Sequence, residues 1–145
     1  MATLAMRAEA SLEEYGYLQK ILPHPSNVVT EAVSEASARM AKNLKAAAIF
    51  SLTETGFTPR LISKHRPDCP NLAVTESRVV ARRLSMNWGV TPLLHEAAHS
   101  DDAKIEFAIR RAQELGYVGP GDIVVATAGH GQQAGSTNLI RVITL

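Results

Sequence analysis

A single cysteine, Cys69, is all the thiol the chain carries, so no internal disulfide can form and the sequence suits a reducing compartment. No apolar run approaches the roughly 20 residues of a membrane-spanning helix. The first residues, Met1-Ala-Thr-Leu-Ala-Met-Arg, lack the continuous apolar core of a signal peptide. Net charge is equally scarce. A formal value of +1 supplies no basic field for nucleic acid or for an anionic membrane surface. These absences predict a cytoplasmic protein with neither nucleic acid nor membrane among its partners.

What is present suits one soluble globular domain. The 145 residues, 46% of them apolar and 20% charged, allow one core of useful size, and residues 1–145 read as a single domain. Residues 1–20 carry Leu4, Ala5, Ala8 and Leu12 at helical spacing, followed by Tyr15 and Tyr17 around Gly16. That helix opens at residue 1 with no capping residue ahead of it, which suggests a piece cut from something longer. Residues 1–22 are assigned as a connecting helix and loop, and 26–145 as an α/β core. After Pro23-His24-Pro25, Ser26 or Asn27 can cap a helix running to about Asn43. Its expected buried stripe is Val29, Ala32, Val33, Ala36, Met40 and Leu44, with Glu31 and Glu35 toward solvent.

Short apolar runs then alternate with amphipathic helices. Ala46–Leu52 is a strand buried on both faces. A helix over 59–66 is limited by Pro67. Asn71–Thr75 is a second strand, and Thr75 can cap the helix Glu76–Met86. Val90–Leu94 is a third strand, whose Pro92 favours an edge or end position. Ser100 caps a long helix with Asp101 and Asp102 in its first turn. Ile105, Ala108, Ile109 and Ala112 line its inner face, and Gly116 follows as the C′ residue. Asp122–Ala128 is the strongest strand signal, and Asn138–Leu145 the last strand. The pattern predicts a three-layer α/β/α sandwich around a five-stranded mixed, mostly parallel sheet. The last two strands are too close in sequence for a helical crossover, so the last strand should pair antiparallel.

Two loops concentrate the chemistry. Leu52 leads through Thr53, Glu54, Thr55, Gly56, Phe57 and Thr58 into a helix, with Pro59 expected at its first position. Strand, hydroxyl-rich glycine turn and helix N-terminus together gather N–H groups and positive dipole, a setting for phosphate; the same residues also describe an ordinary turn capped by Thr58. The second loop, Gly129–Thr137, contains His130, Gly135 and Ser136. Both loops leave the C-terminal ends of strands, and in an open α/β sheet such loops share one edge. His24, His65, His95 and His99 read as surface or packing residues, since their spacings match no zinc pattern. Gly129-His-Gly131 is too short for a dinucleotide or P-loop signature, and no catalytic pair of carboxylates is visible.

The stretch Leu52-Thr-Glu-Thr-Gly-Phe-Thr-Pro-Arg-Leu-Ile-Ser-Lys-His-Arg-Pro67 is followed in order by Leu72-Ala-Val-Thr75, Asn87-Trp-Gly-Val90, Gly121-Asp-Ile-Val-Val125 and Gly135-Ser-Thr-Asn138. Together these closely resemble the C-terminal α/β domain of pyruvate kinase. The resemblance runs in one register over essentially the whole chain, and the N-terminal segment resembles the helix that leaves the family's catalytic barrel. Pyruvate kinase transfers phosphate from phosphoenolpyruvate to ADP. Its magnesium or manganese, its potassium and its catalytic lysine belong to that barrel. The resemblance therefore implies no cofactor and no catalytic residue in this chain, and a chain inactive by itself. What it implies instead is a regulatory domain that binds a phosphorylated effector, associates with the catalytic domain and makes subunit contacts.

Carried over residue by residue, Thr53, Thr55, Gly56, Phe57 and Thr58 match the turn that cradles the effector phosphate. Gly129 to Thr137, including His130, Gly135 and Ser136, match the effector loop. Two departures bear on the ligand. Glu54 places a carboxylate in the phosphate turn, which opposes a dianion. Lys104 is the nearest basic residue where sugar-bisphosphate binders can carry a Trp and an Arg, and lysine lacks the planar fork of arginine. A monophosphate, of a sugar or a nucleotide such as AMP, is favoured over fructose bisphosphate. The alternating last strand predicts a homodimer through this region if it lies at the sheet edge. Two other readings remain open: a structural dimerisation module with an empty turn, and a small enzyme acting on a phosphorylated substrate.

Overall fold

Strands β1 (Ala48–Leu52) and β2 (Asn71–Thr75) are buried at every position, because helices cover both faces of the sheet where they lie. In the computed structural model, which describes residues 1–11, 14, 27–97, 100–129 and 136–145, they are joined by β3 (Val90–Leu94), β4 (Ile123–Gly129) and β5 (Thr137–Thr144). The order across the sheet is β3-β2-β1-β4-β5. The first four strands run parallel, and β5 pairs antiparallel with β4. The mixed five-stranded sheet and its antiparallel last strand are as the alternation of elements predicts. Pro92 sits in an edge strand, where a missing N–H is tolerated, and β5 forms the other edge.

The described helices are α1 (Ala2–Ala10), α2 (Val28–Asn43), α3 (Phe57–Lys64), α4 (Arg78–Leu84) and α5 (Asp101–Glu114). One face of the sheet, through Phe50, Leu72, Val74 and Val124, packs on Ile105, Ala108 and Ala112 of α5. The other face packs on Ala41 of α2 and Ile62 of α3 through Ile49 and Val125, and on Val80 and Leu84 of α4 through Ala73. The result is a three-layer sandwich. α1 buries no residue and ends at its C-cap Ser11, while residues 12, 13 and 15–26, His24 among them, lie outside the described residues.

The structure rotates the buried face of α2 away from the expected one, although Met40 still packs partly on the core and Glu35 faces solvent as expected. Thr30, Glu31, Ser34, Ser37, Ala38 and Ala41 are its buried residues, whereas Val29 is 62% exposed and Ala32, Ala36 and Leu44 also face outward. Small residues let the helix lie close to its neighbours, and the hydroxyls are hidden against their own helix. Ser34 Oγ donates to the Thr30 carbonyl and Ser37 Oγ to the Val33 carbonyl, each at 2.7 Å. Glu31 is tolerated inside because Lys64 of α3 pairs with it; the outward-facing apolar residues of α2 stay at the surface.

Smaller differences concern caps. α4 starts at Arg78, with Ser77 rather than Thr75 as its cap; Ser77 Oγ accepts the Val80 N–H at 3.3 Å. Ser100 caps α5 as expected by accepting the Ala103 N–H, and Gly116 follows that helix with φ +76°. No helix among the described residues is long and apolar enough to cross a membrane.

Candidate functional site

The turn after β1 is built by its own side chains. Thr53 Oγ1 accepts the N–H of Gly56 at 2.9 Å, closing a hydroxyl-stabilised turn of the kind Thr favours. Gly56, not Thr58, is the N-cap of α3; it adopts φ +81°, a conformation that strains any residue bearing a Cβ. Space is short as well, since a Cβ there would sit 3.2 Å from Val80 Cγ1 and 3.3 Å from Leu84 Cδ2 of α4. Pro59 consequently falls at the third helical position, not the first.

A buried polar pair fixes the underside of this turn. Ser51 Oγ donates to Asn71 Oδ1 at 2.7 Å, and Asn71 Nδ2 donates to the Pro59 carbonyl at 3.2 Å. Asn71 is fully buried, so satisfying its amide is obligatory. β1, β2 and the start of α3 are thereby held together at one point.

The second loop starts beside the first. β1 and β4 are adjacent and parallel, with Ser51 opposite Thr127, so the Thr53 turn and Gly129 leave the same edge of the sheet. Gly129 pairs with Thr137 across an irregularity in the ladder. Thr137 then meets α3 directly: its hydroxyl lies 2.6 Å from that of Thr58. Thr30 Oγ1 of α2 donates to the Thr137 carbonyl at 3.5 Å. The N-terminal turns of α2 and α3 thus converge on the first residue of β5.

Placed individually, the expected site residues differ in what they present. Thr55 and Glu54 are exposed, Thr53 and Phe57 half-buried, and Thr58 buried. The Arg60 guanidinium lies 6.0 Å over the Phe57 ring. Lys104 stands at the same edge of the sheet but is engaged, its ammonium 2.8 Å from Glu76, which directly follows β2. Ser136 is half-buried beside Thr137. His130 and Gly135 lie outside the described residues, as does His99. His95 has a packing role, stacked on Phe107 at 4.3 Å.

Sequence reasoning did not single out Thr30 or Thr137, whose partners lie 107 and 79 residues away. Nor did it find a cleft of about 390 Å³ between α2 and the end of α3. Arg39, Lys42, Arg66, Glu35 and Asp68 line it around Trp88. Its charges are mixed, and Arg66 is stacked over the Trp88 ring at 4.6 Å.

A three-layer sandwich around a mostly parallel sheet, with a strand–turn–helix junction at the carboxyl edge of its parallel strands, is the class of α/β domain that the fold defines. Comparison with known proteins is specific. Residues 31–143 match the family described as "Pyruvate kinase, alpha/beta domain", and the chain belongs to that family. A pyruvate kinase of Sporosarcina psychrophila is 36% identical over 143 residues, which cover 98% of this chain and 24% of that protein. One from Clostridium acetobutylicum is 37% identical over 143 residues, covering 98% of this chain and 30% of the relative. Pyruvate kinase 2 of a Synechocystis species is 48% identical over 115 residues, 79% of this chain and 20% of its own. The chain therefore spans between a fifth and a third of the length of these relatives.

Proposed function

We propose that this domain is the regulatory, effector-binding and oligomerisation part of a pyruvate kinase, and that the Thr53–Thr58 turn is its phosphate seat. The supporting observation is the convergence at one sheet edge of that turn, the first turn of an eight-residue helix and the end of β4. First-turn N–H groups lack intrahelical partners and carry the positive end of the helix dipole, and Thr55 presents an exposed hydroxyl beside them. The catalytic transfer of phosphate from phosphoenolpyruvate to ADP, with its metal ions, belongs on this reading to a catalytic domain in the cytoplasm with which these residues associate.

The effector is a monophosphate of a sugar or nucleotide. Glu54 is exposed in the turn, where its charge opposes a second phosphate, and Lys104 is already paired. Subunit contact is assigned to β5, an edge strand on which Leu139 and Val142 are 49% and 46% exposed. An open ladder edge with apolar side chains favours pairing with another strand, here a second copy. Sedimentation showing only monomer at high concentration would contradict that part.

Calorimetric titration with ribose 5-phosphate, glucose 6-phosphate, AMP and fructose bisphosphate tests the effector site. Saturable binding of a monophosphate, lost in Thr55→Ala, is the expected result. Binding of none leaves the dimerisation module as the better reading, and turnover of any would favour an enzyme. In Glu54→Lys the affinity for fructose bisphosphate should rise; an unchanged value contradicts the account of effector choice.

A further inference from the structure

We propose that Thr137 is a positioning residue for the phosphate turn, acting through its bond to the Thr58 hydroxyl. The inference rests on the effector-site reading above and specifies how that site is held. Thr58 and Thr137 are 3% and 5% exposed, with their hydroxyl oxygens 2.6 Å apart. Each hydroxyl has one proton and two acceptor lone pairs, and a buried hydroxyl left unpaired is costly. The bond uses one proton and one lone pair, which gives each buried hydroxyl a partner and ties β5 to α3.

Thr137 is itself fixed from two further sides. Its carbonyl accepts from Thr30 on α2, which is 1% exposed. Its backbone lies so close to Gly129 that a Cβ on that glycine would meet the Thr137 nitrogen at 2.9 Å and the Ser136 oxygen at 2.6 Å. The first residue of β5 is thus clamped to β4 and to α2, and its hydroxyl transmits that fixed position to the second residue of α3. The helix whose N-terminus would face the phosphate is in this way registered against the sheet. Removing either hydroxyl frees the same degree of motion, so the two losses should not add.

The test is calorimetric titration of the full 145-residue chain with ribose 5-phosphate. Thr58→Val and Thr137→Val should each weaken binding about tenfold, the size of one buried hydrogen bond. The double variant should bind no more weakly than either single, and Thr58→Ser and Thr137→Ser should restore the unsubstituted affinity. Alanine variants replace valine where the added methyl prevents folding. An unchanged affinity in Thr137→Val, or losses that multiply in the double variant, overturns the positioning role and leaves the site itself standing. Failure of the unsubstituted chain to bind this and the other three phosphates overturns the effector-site reading, and the inference falls with it.

Discussion

Lys64 on α3 reaches the carboxylate of Glu31 on α2, and this ion pair places a glutamate with a 4% exposed side chain inside the helix interface. The second carboxylate oxygen, Oε2, has no hydrogen-bond partner among the described residues, and neither has His65 Nε2, which lies 3.8 Å from Glu31 Oε1. The contact between the helices therefore depends heavily on one cation.

Lys64→Met should accordingly destabilise the domain by about 3 kcal/mol, because it strands a buried negative charge. Replacing both partners with apolar residues, as Glu31→Leu with Lys64→Met, should recover much of that loss. Urea denaturation midpoints of the two variants check the pair; a single variant as stable as the unsubstituted domain contradicts it.

His65 gives the same interface a pH dependence. Burial lowers its pKa below 6.5, an effect that Lys64 and Arg39 reinforce and that Glu35 and Glu31 oppose. A histidine depressed in the folded state favours the neutral form, so its contribution is intact above pH 6.5 and is lost as pH falls through the folded value. Stability should decline as pH falls from 6.5 towards the lower folded value, and His65→Gln should flatten the decline. Denaturation curves at a series of pH values with identical slopes for both proteins would contradict the assignment.

Gly56→Ala should cost about 1–2 kcal/mol, from left-handed backbone strain plus displacement of Val80 and Leu84. Denaturant melts measure the loss. Because the cap lies in the proposed phosphate seat, ribose 5-phosphate affinity should drop in the same variant.

Cys69 is half-buried, and burial pushes its thiol up to about 11. Little thiolate exists near neutrality, and thiolate is the reactive form. A thiol reagent at neutral pH should label the native domain slowly and the urea-unfolded chain rapidly. Equal rates would contradict this environment.

Much of the architecture was legible because strand burial writes itself into short apolar runs. β2 and β3 begin and end at the residues that composition marks, and the antiparallel last pair follows from a connection too short for a crossover. The face of α2 was not legible. Hydropathy sets Val29 and Leu44 inside and Glu31 outside, whereas close packing of Ser34, Ser37 and Ala38 and the charge of Lys64 decide the opposite. The turn at Thr53 could be read as a possible anion seat. Thr58 has the residue type of a cap, but the cap is Gly56; the strain at Gly56 and the distant hydroxyl of Thr137 leave no local pattern in the sequence.

The central claim is that a phosphate sits in the Thr53–Thr58 turn, and amide chemical-shift mapping during titration with ribose 5-phosphate tests it most directly. The account predicts saturable shifts largest at Thr53, Thr55, Gly56 and Phe57, extending to Thr137. Shifts centred instead on Arg39, Arg66 and Trp88 of the mixed-charge cleft, or no saturable shift anywhere, would contradict it.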